Sequence, residues 1–137
     1  VCLAGYMRLI SPVLLEAFPG RILNIHPSLL PSFPGLHAQR QALEHGARIT
    51  GCTVHLVDEA VDHGPIIAQA TVSIRARETE GTLSDRILLR EHVIYPEVLG
   101  WCLRGYVSVE GRRVVLADSD HLMEKLHDKL THIPDAA

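Results

Sequence analysis

Two side chains at the end of a predicted strand have the types and the spacing for chemistry at a carbonyl group. Asn24 and His26 follow the segment Arg-Ile-Leu at residues 21–23 and are separated by one residue, so in an extended backbone both lie on the same face. An amide donor beside a titratable ring suits the stabilisation of a developing oxyanion. The alternative is structural: a strand-terminal Asn that caps a turn beside a histidine of the core.

Asp62 is the third candidate for chemistry. It lies in an acidic loop between two predicted strands, next to Gly64 and Pro65, where the backbone can approach a ligand. A carboxylate close to His26 would raise the pKa of the imidazole and orient its ring. The alternative is that the loop is a solvated acidic turn, since charged loop residues are usually exposed.

Glu91 lies within the apolar stripe of a long predicted helix, four residues after Ile87 and three before Ile94. An unpaired carboxylate is costly to bury, so this side chain is expected to face either a partner or a polar cleft. Two interpretations stay open here: an ion pair with an arginine such as Arg8 or Arg21, and a contact with a ligand.

The segment at residues 6–10 links the first predicted strand to the first predicted helix. Its apolar side chains and the free backbone groups at the strand end could hold a flat heterocycle, although ordinary packing is the simpler explanation. The loop that follows His26 contains Pro27, Pro31 and Pro34. These prolines are more simply scaffold than function, and one of them could be cis.

Composition and charge exclude several classes of protein. The chain has 137 residues, 47% of them hydrophobic and 21% charged, with a net charge of −3 and no cluster of Lys and Arg, which argues against nucleic acid as a partner. No apolar run has the length of a membrane span. Three widely spaced cysteines without a Cys-x-x-Cys pair favour a reducing, cytoplasmic compartment. Metal binding is not expected, because tightly spaced Cys and His ligands are missing from the sequence.

Strand-like segments alternate with helical patterns, which predicts an α/β architecture. Ser11 and the proline after it have the form of a helix start. Strands are predicted at residues 1–5, 21–25, 53–57 and 66–74, helices at about 12–17, 38–45 and 82–103, and a closing hairpin at 106–109 and 113–116. Residues 1–117 are expected to form the domain that carries the sites, and residues 118–137 a charged C-terminal tail.

Six sequence blocks, in order, strongly resemble the phosphoribosylglycinamide formyltransferase family and cover about residues 1–116. They are Ala-Gly-Tyr-Met-Arg at 4–8, Asn-Ile-His-Pro-Ser-Leu-Leu-Pro at 24–31, Phe-Pro-Gly-Leu-His at 33–37, Gly-Cys-Thr-Val-His at 51–55, Asp-His-Gly-Pro-Ile-Ile at 62–67 and Glu-His-Val-Ile-Tyr-Pro at 91–96. Related deformylases and methionyl-tRNA formyltransferases usually have Gly-Ala-x-Pro after the proline loop, and this chain does not.

The resemblance implies a formyltransferase-like layered fold, with a central mixed sheet flanked by helices. It implies transfer of the formyl group from 10-formyltetrahydrofolate to the amine of glycinamide ribonucleotide, in de novo purine biosynthesis on the way to IMP, by a monomer or homodimer. Two alternatives stay open: a formyltetrahydrofolate hydrolase that uses the same residues, and a folate-binding half-domain without chemistry.

The resemblance also implies roles for single residues. Asn24, His26 and Asp62 would be catalytic, Glu91 would accept hydrogen bonds from the ribose hydroxyls, and Gly35 would lie beside the nucleotide. The bond between Leu30 and Pro31 would be cis. The folate site would be formed by Met7, Arg8, Leu9 and Ile10 together with backbone groups of Asp58, Glu59, Ala60, Val61 and Asp62.

The chain departs from the family pattern in its nucleotide half. The family begins with a strand, a Gly-Ser-Asn loop and a helix that bind phosphate, and the sequence contains none of these. We therefore expect that roughly the first 80 residues of the family fold are missing, and that these 137 residues alone lack transferase activity. Leu88 stands where the family usually has a polar side chain, three residues before Glu91.

Overall fold

A computed structural model describes residues 1–6 and 8–134. Its elements alternate along the chain as the sequence predicts. In chain order they are β1 (Cys2–Ala4), α1 (Pro12–Ala17), β2 (Leu23–His26), α2 (Ala38–His45), β3 (Ile49–Leu56), β4 (Ile66–Ser73), α3 (Glu80–Leu103), β5 (Val107–Glu110), β6 (Arg113–Leu116) and α4 (Ser119–Thr131).

The first four strands form one mixed sheet in the order β1-β2-β3-β4. β1 and β2 are parallel, whereas β2–β3 and β3–β4 are antiparallel. Because β1 and β2 run in the same direction, the loops that leave their carboxyl ends meet at one edge of the sheet. The antiparallel register sets Asn24 opposite His55 and His26 opposite Thr53. The expected mixed sheet flanked by helices is confirmed.

The core lies between the sheet and α3. Leu83, Ile87, Ile94 and Val98 are fully buried on one side of the helix and pack against the strands. Their spacing is that of an amphipathic helix, so the apolar stripe in the sequence is the face that the sheet covers. Leu122 and Leu126 of α4 join the same cluster.

Local signals set the ends of the first two helices. The Ser11 side chain accepts a hydrogen bond from the Leu14 amide, and Pro12 lies in the first turn, as predicted. α2 ends at Gly46, whose φ of +78° is a left-handed conformation that glycine adopts without strain.

The prediction for β3 was too short, because the strand begins at Ile49 rather than at residue 53. The added residues pair with β4 at a close approach of the two strands. A Cβ on Gly51 would lie 1.9 Å from the Ala70 carbonyl oxygen, so only glycine fits. A glycine in an isolated segment indicates a strand end, whereas here it permits pairing.

The β5–β6 hairpin packs against the core through Val107, Val114 and Leu116. Backbone hydrogen bonds tie its start to the end of α3, from Tyr106 N–H to the Trp101 carbonyl. None of the helices within the described residues is long and apolar enough to cross a membrane.

Candidate active site

A cavity of about 600 Å³ opens where β1 and β2 end. Most of the residues that the sequence nominated line it, although they come from separate segments. The nominated residues in its wall are Arg8, Leu9, Ile10, Asn24, His26, Gly35, Asp58, Ala60, Val61, Asp62 and Glu91. Glu59 is exposed and does not belong to the wall, and Met7 lies outside the described residues.

His26 is held from two sides at the end of β2. Its Nε2 lies 2.9 Å from the Phe33 carbonyl oxygen, and its Nδ1 lies 3.4 Å from Asp62 Oδ2. A carbonyl only accepts, so Nε2 must carry a proton. A second proton on Nδ1 then lets the ring donate to the carboxylate, whereas a neutral ring would turn a lone pair toward it.

The Asp62 side chain is largely buried, with 9% of it exposed. Its Oδ2 accepts a hydrogen bond of 2.8 Å from the Gly35 amide of the proline loop. Its φ of +50° is in the left-handed region, which Asp tolerates better than most residues. The interpretation as a solvated turn is therefore wrong for Asp62, although it describes Glu59.

His55 is a member of the site that sequence reasoning missed. Its Nδ1 donates to the Leu56 carbonyl at 3.0 Å, and its Nε2 lies 3.4 Å from Asn24 Nδ2 and 3.8 Å from Asp62 Oδ1. Burial lowers the pKa of His55 despite the nearby Asp62, so the ring is neutral at pH 7 and its Nε2 accepts from the Asn24 amide. A histidine within an otherwise apolar strand was the signal that could have found it.

The Asn24 side chain is only partly satisfied. One N–H of its amide is directed at His55, and its Oδ1 is buried with no hydrogen-bond partner among the described residues. Buried polar atoms are nearly always paired in folded proteins. An amide left in this state beside a cavity is suited to bind a ligand with its second N–H.

Glu91 is half-buried in the cavity wall and forms no ion pair with Arg8 or Arg21 in the part of the chain that the structure describes. Burial raises the pKa of this carboxyl above its usual range. The ion-pair interpretation is therefore wrong, and the carboxylate faces the cavity. Leu88 lies one turn before it and also lines the cavity, with 44% of the residue exposed.

Three further features concern the surroundings of the site. The peptide bond between Leu30 and Pro31 is cis, as the resemblance implied. Leu9 is 63% exposed and Ile10 is 8% exposed, so the segment after β1 offers the cavity an apolar surface. Within the described residues, no group of three or more His, Cys, Asp or Glu side chains could hold a metal ion.

Comparison with known proteins gives consistent matches. A sequence model described as formyl transferase matches residues 1–99. The chain is 49% identical over 109 residues to phosphoribosylglycinamide formyltransferase of Escherichia coli, covering 80% of this chain and 51% of that protein. It is 50% identical over 109 residues to the human trifunctional purine biosynthetic protein adenosine-3, covering 80% of this chain and 11% of that protein.

Solved structures agree with the sequence matches. Glycinamide ribonucleotide transformylase 1 from Symbiobacterium toebii is 59% identical with a TM-score of 0.84, over 85% of this chain and 55% of that chain. A formyltetrahydrofolate deformylase from Pseudomonas syringae is 32% identical with a TM-score of 0.76, over 81% and 37%. The chain thus spans about half the length of its bacterial transferase relatives. It belongs to the formyl transferase family.

Proposed function

We propose that the protein transfers a formyl group from 10-formyltetrahydrofolate to the amine of glycinamide ribonucleotide, a step of de novo purine biosynthesis. The observation that carries this proposal is the convergence of Asn24, His26 and Asp62 on one cavity. The names of the bacterial transferase relatives support the choice of acceptor, and the name of the deformylase neighbour supports a formyl-folate donor. We further expect a cytoplasmic enzyme that acts as a monomer or homodimer.

In the proposed reaction the amine nitrogen attacks the formyl carbon, and negative charge develops on the formyl oxygen. The free N–H of Asn24 would donate to this oxygen, an interaction worth about 3–4 kcal/mol at best. Nε2 of His26 is engaged by the Phe33 carbonyl at 2.9 Å, whereas Nδ1 has only the longer contact of 3.4 Å with Asp62 Oδ2. A proton on Nδ1 would therefore be shared between Asp62 and the formyl oxygen. Neutral His55 would keep the Asn24 amide in its donating orientation.

Collapse of the tetrahedral intermediate breaks the bond from the formyl carbon to the folate nitrogen. The attacking amine loses a proton and the departing nitrogen gains one, so the reaction needs a proton relay but no external acid. Asp62 would orient the His26 ring through the contact at Nδ1 and would order the water that carries this proton. No Lewis acid is needed for the attack, because the amine is already a nucleophile.

The remaining cavity residues would bind the two substrates. Arg8, Leu9 and Ile10, together with Met7, would hold the folate, and backbone groups of residues 58–62 would bind the pterin ring. Glu91 would accept hydrogen bonds from the ribose hydroxyls, and these would supply the partner that this carboxylate does not have among the described residues. Gly35 would lie beside the nucleotide.

A hydrolase that releases formate from the same folate is the second candidate. The likeness to a deformylase structure favours it, because the same side chains could activate water instead of an amine. The two reactions differ in one observable. A hydrolase releases formate when no acceptor amine is present, whereas a transferase consumes folate only together with glycinamide ribonucleotide.

The substitution Asp62→Asn tests the transferase directly. It removes the charge beside His26 but keeps the size of the side chain, so we expect turnover to fall about 10²- to 10⁴-fold with the folate dissociation constant little changed. Single-turnover transfer and equilibrium binding of folate measure the two effects separately. Asp85→Asn, which changes an exposed carboxylate of α3, is the matched control and is expected to change neither quantity.

Other outcomes would contradict the proposal in distinct ways. Equal losses of turnover and folate affinity in Asp62→Asn would mean that this residue only shapes the cavity. Formate release by the parent protein without acceptor would establish the hydrolase. Folate binding without either reaction in the intact protein would leave a binding domain.

A further inference from the structure

The turn of the β5–β6 hairpin contacts the back of the cavity loop. Arg112 Nη2 donates to the His63 carbonyl oxygen, and Arg112 Nη1 lies 3.5 Å from His63 Nδ1. The His63 ring in turn lies 2.9 Å from Asp58 Oδ2, measured from Nδ1. We call these three residues, Arg112, His63 and Asp58, the arginine clasp. None of the cavity features described above involves Arg112, which does not line the cavity.

The hairpin is a fixed support for this contact. Its strands pair along four residues each, and three of its side chains pack against the core. Its two ends are joined by a hydrogen bond from the Ala117 amide to the Tyr106 carbonyl. Since the hairpin is fastened to α3 and the sheet, a guanidinium at its turn restrains whatever loop it binds.

The clasp holds a part of the loop that has few other anchors. Asp62 is fixed independently by the Gly35 amide and by His26. The preceding residues 58–61 have within the described chain only the hydrogen bond of 2.9 Å from the Ala60 amide to Asp58 Oδ1 and the ion pair of Asp58 with His63. The clasp therefore determines the position of residues 58–61, whereas Asp62 does not depend on it.

The charges of the clasp support one another. Burial opposes ionisation of Asp58, but the hydrogen bonds from His63 and Ala60 outweigh it, and the nearby Arg112 adds to them, so the pKa of Asp58 is lowered. The ionised carboxylate can accept both hydrogen bonds at once. Because His63 uses its Nδ1 proton for Asp58, the bond that Arg112 contributes is the one to the His63 carbonyl.

We propose that Arg112 is a positioning residue for the folate: it holds residues 58–61 against the cavity from outside and so sets the affinity for the pterin ring. This inference rests on the proposed function, in which those backbone groups bind the pterin. It assigns two properties to different parts of the loop at residues 58–62: residues 58–61 determine folate affinity, and Asp62 acts in the reaction. Loosening the clasp weakens folate binding, and the reaction of bound folate continues at its normal rate because Asp62 keeps its own anchors.

The experiment compares Arg112→Gln with Arg113→Gln in the full-length protein. Arg113 is the next residue of the hairpin, paired with Glu110 through its backbone, and its side chain has no hydrogen bond or ion pair within the described residues. Arg113→Gln therefore removes a charge without touching the clasp. Hydrogen exchange of the peptide that contains residues 58–64 reports the loop. Titration with tetrahydrofolate reports affinity, and turnover at saturating 10-formyltetrahydrofolate reports chemistry.

For Arg112→Gln we expect exchange in this peptide to be about two- to fivefold faster and the folate dissociation constant to rise by a similar factor, since the clasp is an exposed network. The kcat is expected to stay within about twofold of the parent. Arg112→Lys keeps the charge but loses the planar fork, and should fall between Arg112→Gln and the parent. Arg113→Gln should leave all three measurements unchanged.

Two results would overturn the proposal: unchanged exchange and affinity in Arg112→Gln, or a fall in kcat with affinity unchanged. A parent protein that binds no folate would overturn the proposed function and the folate role of Arg112 together. Exchange at residues 58–64 would still decide whether Arg112 holds the loop. Failure of the clasp and failure of the function are therefore distinguishable.

Discussion

Two charged residues of α3, five positions apart, are withdrawn from solvent, one with an ion-pair partner and the other without one in the described part of the chain. Arg86, 5% exposed, forms an ion pair with Glu78 and donates to the Ser73 carbonyl at 2.8 Å. Glu91 is half-buried and has no such partner among the described residues. The paired residue joins the start of the helix to the sheet. The unpaired one faces the cavity, where a ligand can supply the missing hydrogen bonds.

The same contrast appears within the sheet. Thr53 donates to the Ser28 carbonyl at 2.7 Å and accepts from the Leu30 amide at 3.1 Å, so its buried hydroxyl is satisfied by the proline loop. Asn24, on the neighbouring strand, has a buried Oδ1 with no hydrogen-bond partner in the part of the chain that the structure describes. The Thr53 hydroxyl, which holds the proline loop to β3, is thus completed by the chain itself. The Asn24 amide of the candidate site is left incomplete, at a cost in stability.

Breaking the buried ion pair between Arg86 and Glu78 should have the largest effect on stability. Arg86→Met leaves Glu78 buried without its cation, so we expect the free energy of unfolding to fall by about 3–5 kcal/mol, measured by urea denaturation. Arg40→Met breaks the exposed ion pair with Glu80 and should cost less than about 1 kcal/mol. The double substitution Arg86→Met with Glu78→Gln should recover part of the loss. If Arg86→Met costs no more than Arg40→Met, the buried ion pair with Glu78 does not stabilise the fold more than the exposed ion pair with Glu80.

Removing the unpaired charge of Glu91 should weaken ligand binding by less than about 3–5 kcal/mol. It should raise the stability of the fold, whereas Arg86→Met lowers it. Glu91→Gln is expected to weaken binding of glycinamide ribonucleotide by about ten- to a hundredfold, because hydrogen bonds to a charged acceptor contribute about 1.5–3 kcal/mol. Measurement of the acceptor KM, with the folate KM as the internal control, tests this. Unchanged acceptor KM would mean that Glu91 does not contact the acceptor.

The difference in stability between Glu91→Gln and the parent protein should depend on pH. Burial raises the pKa of Glu91 above its unfolded value of 4.5, so between the two values the folded chain holds a proton that the unfolded chain has released. Stability is therefore lost as the pH rises through this window and stays lower above it. Glu91→Gln should be more stable than the parent at pH 8, and this advantage should shrink toward pH 4. A constant difference across pH would contradict it.

The smallest effect on stability is expected from removing a single neutral hydroxyl, that of Tyr95. Tyr95 donates from its phenol to the Leu3 carbonyl at 2.6 Å and lies 3.1 Å from the Leu23 carbonyl, which joins α3 to β1 and β2. Tyr95→Phe should lower the free energy of unfolding by about 1 kcal/mol, and exchange at the β1 amides should rise most. Tyr106→Phe, a partly exposed tyrosine of the hairpin start, is the control and should have no measurable effect.

The sequence predicted most of the secondary structure because its signals are local. Ser11 with Pro12 and the glycine at 46 mark helix ends by capping and by a left-handed turn, and both act within a few residues. The start of β3 was missed because it depends on pairing with β4, which is more distant in sequence. Gly51 permits that pairing, and none of its neighbours in the sequence indicates that a strand begins before it.

The candidate site divides in the same way. Alternation along a strand was sufficient to place Asn24 and His26 on one face, and periodicity along α3 was sufficient to single out Glu91. The burial of Asp62 and the part played by His55 followed from neither pattern. His55 faces Asn24 only because β2 and β3 pair in one antiparallel register, and Asp62 is buried only because the Gly35 amide and His26 meet it there.

The sequence by itself determined which residues could do chemistry and which elements would carry them, since both follow from side-chain type and from periodicity along the backbone. The tertiary structure decided which of those residues meet, and which polar groups are left without a partner. Register and loop packing join segments far apart in the chain, and the free energy that selects them belongs to the whole fold rather than to any one segment.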